Sequence, residues 1–542
     1  MINSRWKNLA TPPALIVCTL ALLSAGCPNA EPVADLPTRE SMPGIARGDL
    51  KQSLRLTNVQ FVAKEADAET DASEESKDGD SKYSADADKK YPPLFEGWKK
   101  PVLTLYFSGR QHGYIEPCGC TGLANQKGGL NRRHVLYGQL KEKGYNPVAI
   151  DIGNQVRRFG RQPEIKFQTT VSGLKTIGYE AIGYGPDDLR LSAGELLSAA
   201  IGIDGKPAPF VCANVNILGQ TAPLKVIESG GKKIGLTAVL GKAHQRGITS
   251  DEIELTDPDA ALGKVLPKLK DAECDVYVLL AHTGMDDSKR LGKKYPLFDL
   301  VVTAGSAGEP AHRLEAMEGT DGQLVQVGTK GMYVSAVGVF EGDGPRFRLQ
   351  RTPLDGRFPD SKEMLALMAS YQQQLEAVGL AGLEVKPLPH PSGRTFVGSA
   401  ACADCHEEEY EIWKETPHAH GTDSIVNPAE RSEIPRHHDP ECLSCHVTGW
   451  NPQEYYPYKS GYESLEGSKA MTQMGCENCH GPGSHHVAAE NGELDDEDKY
   501  RAEMVLTLKA ARDTCLQCHD LDNSPDFHLE GAFEKYWERV KH

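Results

Sequence analysis

Short apolar runs of strand length punctuate the chain between Pro101 and Arg351: VLTLYF, NPVAIDIG, YEAIGYG, PFVCANV, KIGLTAVLG, VYVLLAH and DLVVTAG. Between several of them lie segments of helical period, such as LNRRHVLYGQLKEKG and DAALGKVLPKLKD. That alternation predicts an α/β layered domain over 99–355, with functional loops at the carboxyl ends of the strands. Gly128-Gly129 and Gly144 give the first of these helices its ends. The pattern then changes. SKEMLALMASYQQQLEAVG reads as an amphipathic helix and LEVKPLPHPSG as a proline-spaced extended connector, together covering 356–393. Residues 394–542 show only short helical stretches among polar loops, which predicts a mainly α, loop-rich domain.

The region before Pro101 has no comparable pattern. From Lys64 to Lys90 it is crowded with Asp, Glu, Ser and Lys and holds almost no aliphatic side chain larger than alanine. Such a segment cannot bury enough surface to offset its ordering entropy, so 28–98 is expected to be a disordered acidic tether. Residues 1–27 read as an export signal. Arg5 and Lys7 open it, Ala14 to Leu23 form an apolar stretch too short to span a bilayer comfortably, and Leu23-Ser24-Ala25-Gly26-Cys27 offers a small-residue cleavage region. Ser-Ala-Gly-Cys resembles a bacterial lipobox with Cys27 as the lipidated residue, although Ser24 stands where a large aliphatic residue is usual. An extracytoplasmic, periplasmic-side protein held at a membrane by an N-terminal lipid anchor is therefore expected. At 542 residues the chain exceeds what one core usually supports, and its net charge of −17 argues against nucleic acid as a partner.

The chemistry is concentrated in the last 150 or so residues. One five-residue signature occurs there four times, as CADCH, CLSCH, CENCH and CLQCH. Two thiols two residues apart can each add to one haem vinyl group, and the adjacent histidine then lies beneath the iron. Covalent attachment of four c-type haems is expected at Cys402 and Cys405, Cys442 and Cys445, Cys476 and Cys479, and Cys515 and Cys518. The proximal ligands are then His406, His446, His480 and His519. Paired CxxC units also bind zinc, but a histidine directly after the second cysteine in every copy does not suit that use. Four porphyrins in so short a segment must themselves supply much of its buried apolar surface.

Eight further histidines compete for the distal positions: His418, His420, His437, His438, His485, His486, His528 and His542. His418 follows a helix that Pro417 ends, where it can reach a neighbouring haem. The glycines and Pro482 of CENCHGPGSHH bring His485 or His486 round to another iron. A solvated loop histidine is the plain alternative, above all for His420, His437, His485 and His542. An iron lacking a sixth ligand could bind a small molecule.

WKETPHAHG, CLSCHVTGW and CENCHGPGSHH resemble the tetrahaem cytochrome c-554-like family over about residues 395 to 520. The resemblance implies electron transfer and points to His418 and His486 as distal ligands; His438 and His528 complete the candidate set. In that family one haem can be five-coordinate.

A second resemblance covers most of 102–345. SGRQHGYIEP, GGLNRR, AIDIGN, IGYGPDDL, FVCANV, LLAHTG and DLVVTAGSAG follow in order the pattern of the UshA-like, 5′-nucleotidase-like metallophosphoesterase domain. That family holds two divalent metals with D-x-H, G-D, G-N-H-E, a later His and G-H-x-H. Here the first motif reads Arg110-Gln111-His112, the second Gly153-Asn154, and the third Gly185-Pro186-Asp187-Asp188. His282 matches the later histidine, and the last motif has become Ala304-Gly305-Ser306-Ala307. Two-metal hydrolysis needs a clamp of two cations bridged by a carboxylate. Arg110 puts a fixed positive charge at a ligand position, Asn154 removes the bridging charge, and Pro186 has no ligand side chain. Hydrolysis by the family mechanism is not expected, nor is a divalent metal in this domain, although His112, Asp187, Asp188 and His282 could hold one ion.

Glu116-Pro117-Cys118-Gly119-Cys120 follows the His112 loop, and Cys118 and Cys120 could act as a redox pair, a soft-metal site or a structural bridge. Cys212 and Cys274 lie by apolar strand patterns and read as small buried hydrophobes. The whole reads as a tetrahaem electron-transfer protein fused to a phosphoesterase-like domain used for docking or binding. Its partners would be redox proteins or a small redox substrate. The rival readings are a redox enzyme acting on a small nitrogen or sulfur compound at an open haem or at the cysteine pair, and a metal-dependent phosphoester hydrolase.

Overall fold

The computed structural model describes residues 91–118, 126–158, 160–201, 209–306, 308–428, 432–521 and 523–542. The export signal, Cys27, most of the acidic tether and Cys120 lie outside the described residues. All described residues belong to one compact unit, 79–542. Its strands are β1 (Leu103–Ser108), β2 (Pro147–Asp151), β3 (Tyr179–Ile182), β4 (Val215–Ile217), β5 (Lys225–Ser229), β6 (Lys232–Leu240) and β7 (Ile253–Leu255). They continue with β8 (Val276–His282), β9 (Leu300–Thr303), β10 (Glu315–Ala316), β11 (Gln323–Gln326), β12 (Tyr333–Val339) and β13 (Phe347–Pro353). The helices of this half are α1 (Leu130–Glu142), α2 (Arg161–Ile177), α3 (Ala193–Ile201), α4 (Pro258–Asp271), α5 (Met285–Lys294) and α6 (Lys362–Gly382).

Two sheets form the α/β part. One runs β13-β12-β1-β2-β3, with β1, β2 and β3 parallel and the other two antiparallel. The second runs β10-β11-β9-β8-β6-β5, parallel through its centre. Successive side chains of a strand point to opposite faces, and β8 shows the consequence. Val276, Val278 and Leu280 join the core shared with β1, β2 and the helices α1, α2 and α6, whereas Leu279 and Ala281 pack with Leu262, Val265 and Leu269 of α4 and Leu291 of α5. The sheets thus lie between two helical layers, and continuous apolar runs are what strands buried on both faces require. PFVCANV departs from the strand reading. Phe210 and Val211 make isolated bridges to Ile182 and Ala222, and only Val215 enters a strand. Cys212 is buried, but Cys274 is only half-buried.

Helix α2 crosses α6 at a glycine. A Cβ on Gly173 would stand 2.7 Å from Leu130 Cδ1 and 2.9 Å from Leu367 Cδ2, so a larger residue there would push the ends of these two leucines aside. The pairing matters because both helices also meet the C-terminal half.

That half contains α7 (Ser399–Ala403), α8 (Glu407–Lys414), α9 (Asp423–Val426), α10 (Pro440–His446), α11 (Cys476–His480), α12 (Ser484–Glu490), α13 (Glu497–Met504), α14 (Leu508–Cys515) and α15 (Ala532–Trp537). A two-stranded ribbon, Trp450–Asn451 with Tyr456–Pro457, completes it. Its largest apolar cluster is small: Phe396, Ile425, Leu443, Val447, Trp450, Tyr462 and Met471. Helices α8 and α13 bury no side chain at all. Among the described residues no helix is long and apolar enough to cross a membrane.

Candidate functional site: four cysteine-histidine turns against a rebuilt strand-end pocket

Each CxxCH forms a turn of helix whose histidine closes back on its first cysteine. The N–H of His406 donates to Cys402 O at 2.9 Å and that of His519 to Cys515 O at 2.8 Å, while α10 and α11 contain the other two motifs whole. This turn presents both thiols and the imidazole to the same space. Three of the four imidazoles are oriented from behind. His446 Nδ1 lies 2.7 Å from Gly421 O, His480 Nδ1 lies 2.7 Å from Met504 O, and His519 Nδ1 lies 2.9 Å from Ser524 Oγ. A ring whose Nδ1 is engaged presents Nε2 forward, the arrangement metal-bound histidines adopt.

Facing rings follow from this. His406 stands opposite His486 with ring centroids 6.3 Å apart, His519 opposite His418 at 6.3 Å, and His480 opposite His542 at 5.9 Å. Two imidazoles bound on opposite sides of one iron, with metal–nitrogen bonds of about 2 Å, hold their centroids roughly 6 Å apart. The residues present therefore fit haem. Neighbouring turns also bring thiols close together: Cys402 lies near Cys476, Cys445 near Cys518, and Cys479 near Cys515.

Two of the four distal candidates from sequence lie elsewhere in the structure. The His438 ring lies tilted against His437 with centroids 4.0 Å apart and 3.8 Å from Glu376 of α6, while His528 Nε2 is 3.0 Å from the carbonyl of His519. Neither faces a proximal ring as His542 does. The sequence reading set His542 aside as a solvated histidine, and nothing local marks it, because its approach to His480 depends on the path of α15. His420 sits beside Asp423, and His485 packs edge-on against Tyr500.

The phosphoesterase-like positions gather at the carboxyl ends of β1, β2 and β8. His112 is largely enclosed, and burial, together with Arg110, Arg157 and Lys330, lowers its pKa to about 3. His282 is likewise held neutral, its pKa lowered to about 3 by burial, with Nδ1 on the carbonyl of Ile152 at 3.0 Å. Asn154 Nδ2 donates to Asp187 at 2.9 Å. Asp188 is occupied elsewhere: its carboxylate accepts the backbone N–H groups of Asn154, Gln155, Val156 and Gly185 at 2.6–3.3 Å, and burial pushes its pKa up to about 7. Asp188 thus clamps backbone. Arg110 Nη1 donates to Ser306 O at 2.6 Å across the two strand ends. His244, which the sequence reading missed, stands 5.6 Å from His282. Its place just past the carboxyl end of β6 is the signal that could have found it. Among the described residues no three His, Cys, Asp or Glu side chains converge where a metal ion could sit.

The two halves enclose one cavity of about 890 Å³. The α/β half contributes His112, Tyr114, Cys118, Arg157, Arg158 and Lys330, and the other side carries Cys442, Cys445, His446, Cys515, Cys518 and His519. Buried polar contacts lock this seam. Asp439, the N-cap of α10, accepts Glu441 N at 2.9 Å, Gln162 Nε2 of α2 at 2.6 Å and Tyr371 Oη of α6 at 3.0 Å. Lys166 meets Glu441 at 2.6 Å, and Arg436 forks onto Glu116. Tyr114 and Gln126 reach Asn523 at 3.4 and 3.3 Å.

Fold and site define a c-type cytochrome module joined to a 5′-nucleotidase-like α/β domain. The family model "Cytochrome c554 and c-prime" matches residues 401–481. Cytochrome c-554 of Nitrosomonas europaea is 34% identical over 99 residues, 16% of this chain and 39% of that protein. The snake venom 5′-nucleotidase of Gloydius brevicauda is 23% identical over 274 residues, 44% of this chain and 45% of that protein. A 5′-nucleotidase precursor from Thermus thermophilus superposes with a TM-score of 0.44 and 20% identity, over 51% of this chain and 59% of its own. The chain spans less than half the length of these two curated relatives. The module's cofactor is haem c.

Proposed function

We propose that this chain is an exported tetrahaem electron carrier whose phosphoesterase-like domain is catalytically silent and serves as a wall and binding module for the haems. The facing of His406 with His486, His519 with His418, and His480 with His542 carries this reading. In it these six histidines would hold three haem irons, and His446 would hold the fourth. Bound haem supplies one-electron chemistry at potentials tuned by axial ligation, burial and nearby charge. The chain's own residues do the rest. Eight cysteines hold the porphyrins, and Gly421, Met504 and Ser524 orient three proximal rings. The closeness of Cys402 to Cys476 and of Cys445 to Cys518 would bring the haems these thiols hold near one another, as a relay requires.

Silence of the α/β domain rests on Arg110, Asn154, Pro186 and Gly305 at four ligand positions, and on Asp188 being spent on backbone. A place outside the cytoplasm agrees with covalent haem attachment. Lipidation at Cys27 rests on sequence alone.

The test is a haem stain of denatured protein, a pyridine haemochrome count, and reduction under carbon monoxide. Four covalent haems, of which at most the one held by His446 responds to carbon monoxide, support the relay. Turnover of a small nitrogen or sulfur compound at that open iron would favour the redox enzyme. No covalent haem, or manganese-dependent phosphoesterase activity, would overturn the proposal.

A further inference from the structure

The closeness of the thiols places the four attachment turns in one series. Cys402 lies near Cys476, Cys479 near Cys515, and Cys518 near Cys445. The series therefore runs CADCH, CENCH, CLQCH, CLSCH, and its two ends differ in what surrounds them. At the CLSCH end Leu443 and Ser444 are buried, and the thiols line the cavity that the α/β half closes. At the CADCH end Cys405 is the one exposed thiol of the eight, and His406 beside it is exposed as well. Electron tunnelling falls steeply with distance, so a protein partner is best served at this open end.

Helix α8 follows the CADCH turn directly and buries none of its side chains. Trp413 fixes its orientation by donating from Nε1 to the carbonyl of Met474 at 3.0 Å. Residues three, four and seven apart share a helix face, so Glu408, Glu411, Ile412 and the C-cap Glu415 lie together, and all four are exposed. Ile412, 43% exposed, is an apolar centre with carboxylates to either side along the helix. Within 404–415 six carboxylates stand against one cation, Lys414, which is tied to Glu411 at 2.8 Å. Glu407 with Glu411, and Glu411 with Glu415, are like charges four residues apart, which destabilise a helix and which a cationic surface would relieve. The other border of the same turn repeats the sign. His486, facing His406, lies 3.6 Å from Glu490, and from Glu490 to Glu503 seven carboxylates stand against Lys499 and Arg501. Arg501 is itself drawn onto Glu490 at 2.6 Å and Glu497 at 3.2 Å.

We propose that the outward face of α8, centred on Ile412, is the docking surface for a cationic one-electron redox protein that exchanges electrons with the relay at its CADCH end. Such a partner needs haem in the relay, so this surface depends on the tetrahaem reading. One electron crosses per encounter: a ferrous haem of the relay becomes ferric as the partner's oxidised centre is reduced, and no bond is made or broken. The carboxylates steer the encounter and fix its orientation. Ile412 supplies the apolar contact at the centre of the patch, which salt does not screen.

The experiment uses the full, haem-loaded protein and two forms of a lysine-rich single-haem cytochrome c. The zinc-substituted form, redox-inert in the dark, reports equilibrium binding, and the ferric form serves as oxidant of the reduced protein. Wild type is compared with Glu408→Gln/Glu411→Gln/Glu415→Gln, with Ile412→Ser, and with Asp251→Asn/Glu252→Gln/Glu254→Gln, which removes as much charge from the α/β surface. Haem content, haem spectra and melting midpoints show that each variant folds. Affinity and oxidation rate should fall with salt in wild type, and the α8 triple variant should lose about tenfold in both at low salt with a flatter salt dependence. Ile412→Ser should weaken binding with the salt dependence unchanged, and the α/β control should match wild type. Equal losses in the α8 variant and the control would assign the effect to net charge and overturn the surface. So would an absence of saturable binding, or binding that the α8 changes leave untouched. Self-association of wild type that the α8 changes abolish would mean that a second copy covers the face, which overturns the proposal too. A protein without covalent haem, or one whose reduced haems fail to pass electrons even to a small uncharged quinone, defeats the proposed function instead.

Discussion

Asp439 joins three elements, and removing it tests whether the α/β half holds the haem turn of α10 in place. The carboxylate is 4% exposed and caps α10 while accepting hydrogen bonds from Gln162 of α2 and Tyr371 of α6. Each bond to an ionised group contributes about 1.5–3 kcal/mol, and an N-cap about 1 kcal/mol. Part of that gross sum is offset, since burial raises the Asp439 pKa and so opposes the ionised form. Asp439→Ala is therefore expected to cost about 3 kcal/mol, with Gln162 and Tyr371 left as buried donors without their acceptor. Asp257 provides the control. It caps α4 by accepting Asp259 N at 3.0 Å and Ala260 N at 3.2 Å, but it is solvent-exposed and bonds nothing from another element. Asp257→Ala should cost about 1 kcal/mol. Urea unfolding of haem-loaded protein, followed by circular dichroism and by the haem band together, measures both. Equal losses in the two variants would refute the claim that the seam, rather than the cap alone, secures the turn.

Replacing His542 with Ala should open the iron held by His480, so carbon monoxide binding to reduced protein rises by one haem while covalent haem is unchanged; an unaltered spectrum would remove His542 from the ligand set. His282 and His112 have folded pKa values near 3 against 6.5 unfolded, so the unfolded chain binds more protons between those limits. Their contribution is complete above pH 6.5 and is lost as pH falls toward 3, by up to about 1.4 kcal/mol per pH unit for each group. His282→Asn should accordingly flatten stability against pH in that window, and a curve parallel to wild type would contradict the assignment. Glu477, 3% exposed, accepts the N–H groups of Val397, Gly398 and Gly483 at 2.7–3.1 Å, joining the approach to CADCH to CENCH. Glu477→Ala should lower stability by about 3 kcal/mol and Glu477→Gln by clearly less, and the reverse order would show that charge rather than hydrogen bonding is at stake.

What the sequence determined by itself is whatever depends on spacing along the chain. The thiol pair and its following histidine lie within one helical turn, so Cys402 to His406 and the three other repeats declare their chemistry without a fold. Apolar runs buried on both faces declared β1, β2, β6, β8 and β9 for the same local reason. The losses at Arg110, Asn154, Pro186 and Gly305 were legible because ligand positions follow the strand ends in order. Tertiary structure alone decided the pairings. His418 meets His519 and His480 meets His542 across long stretches of chain, and no periodicity encodes where a loop returns. That His438 lies beside Glu376 of α6 is likewise a product of tertiary packing. His244 became part of a site only when β6 and β8 were paired, and Asp188 ceased to be a ligand candidate once the backbone claimed its carboxylate. The shared cavity is the same kind of result. Arg157 and Lys330 lie far apart in sequence from each other and from the haem turns, and only the strand-end loops bring them to one wall.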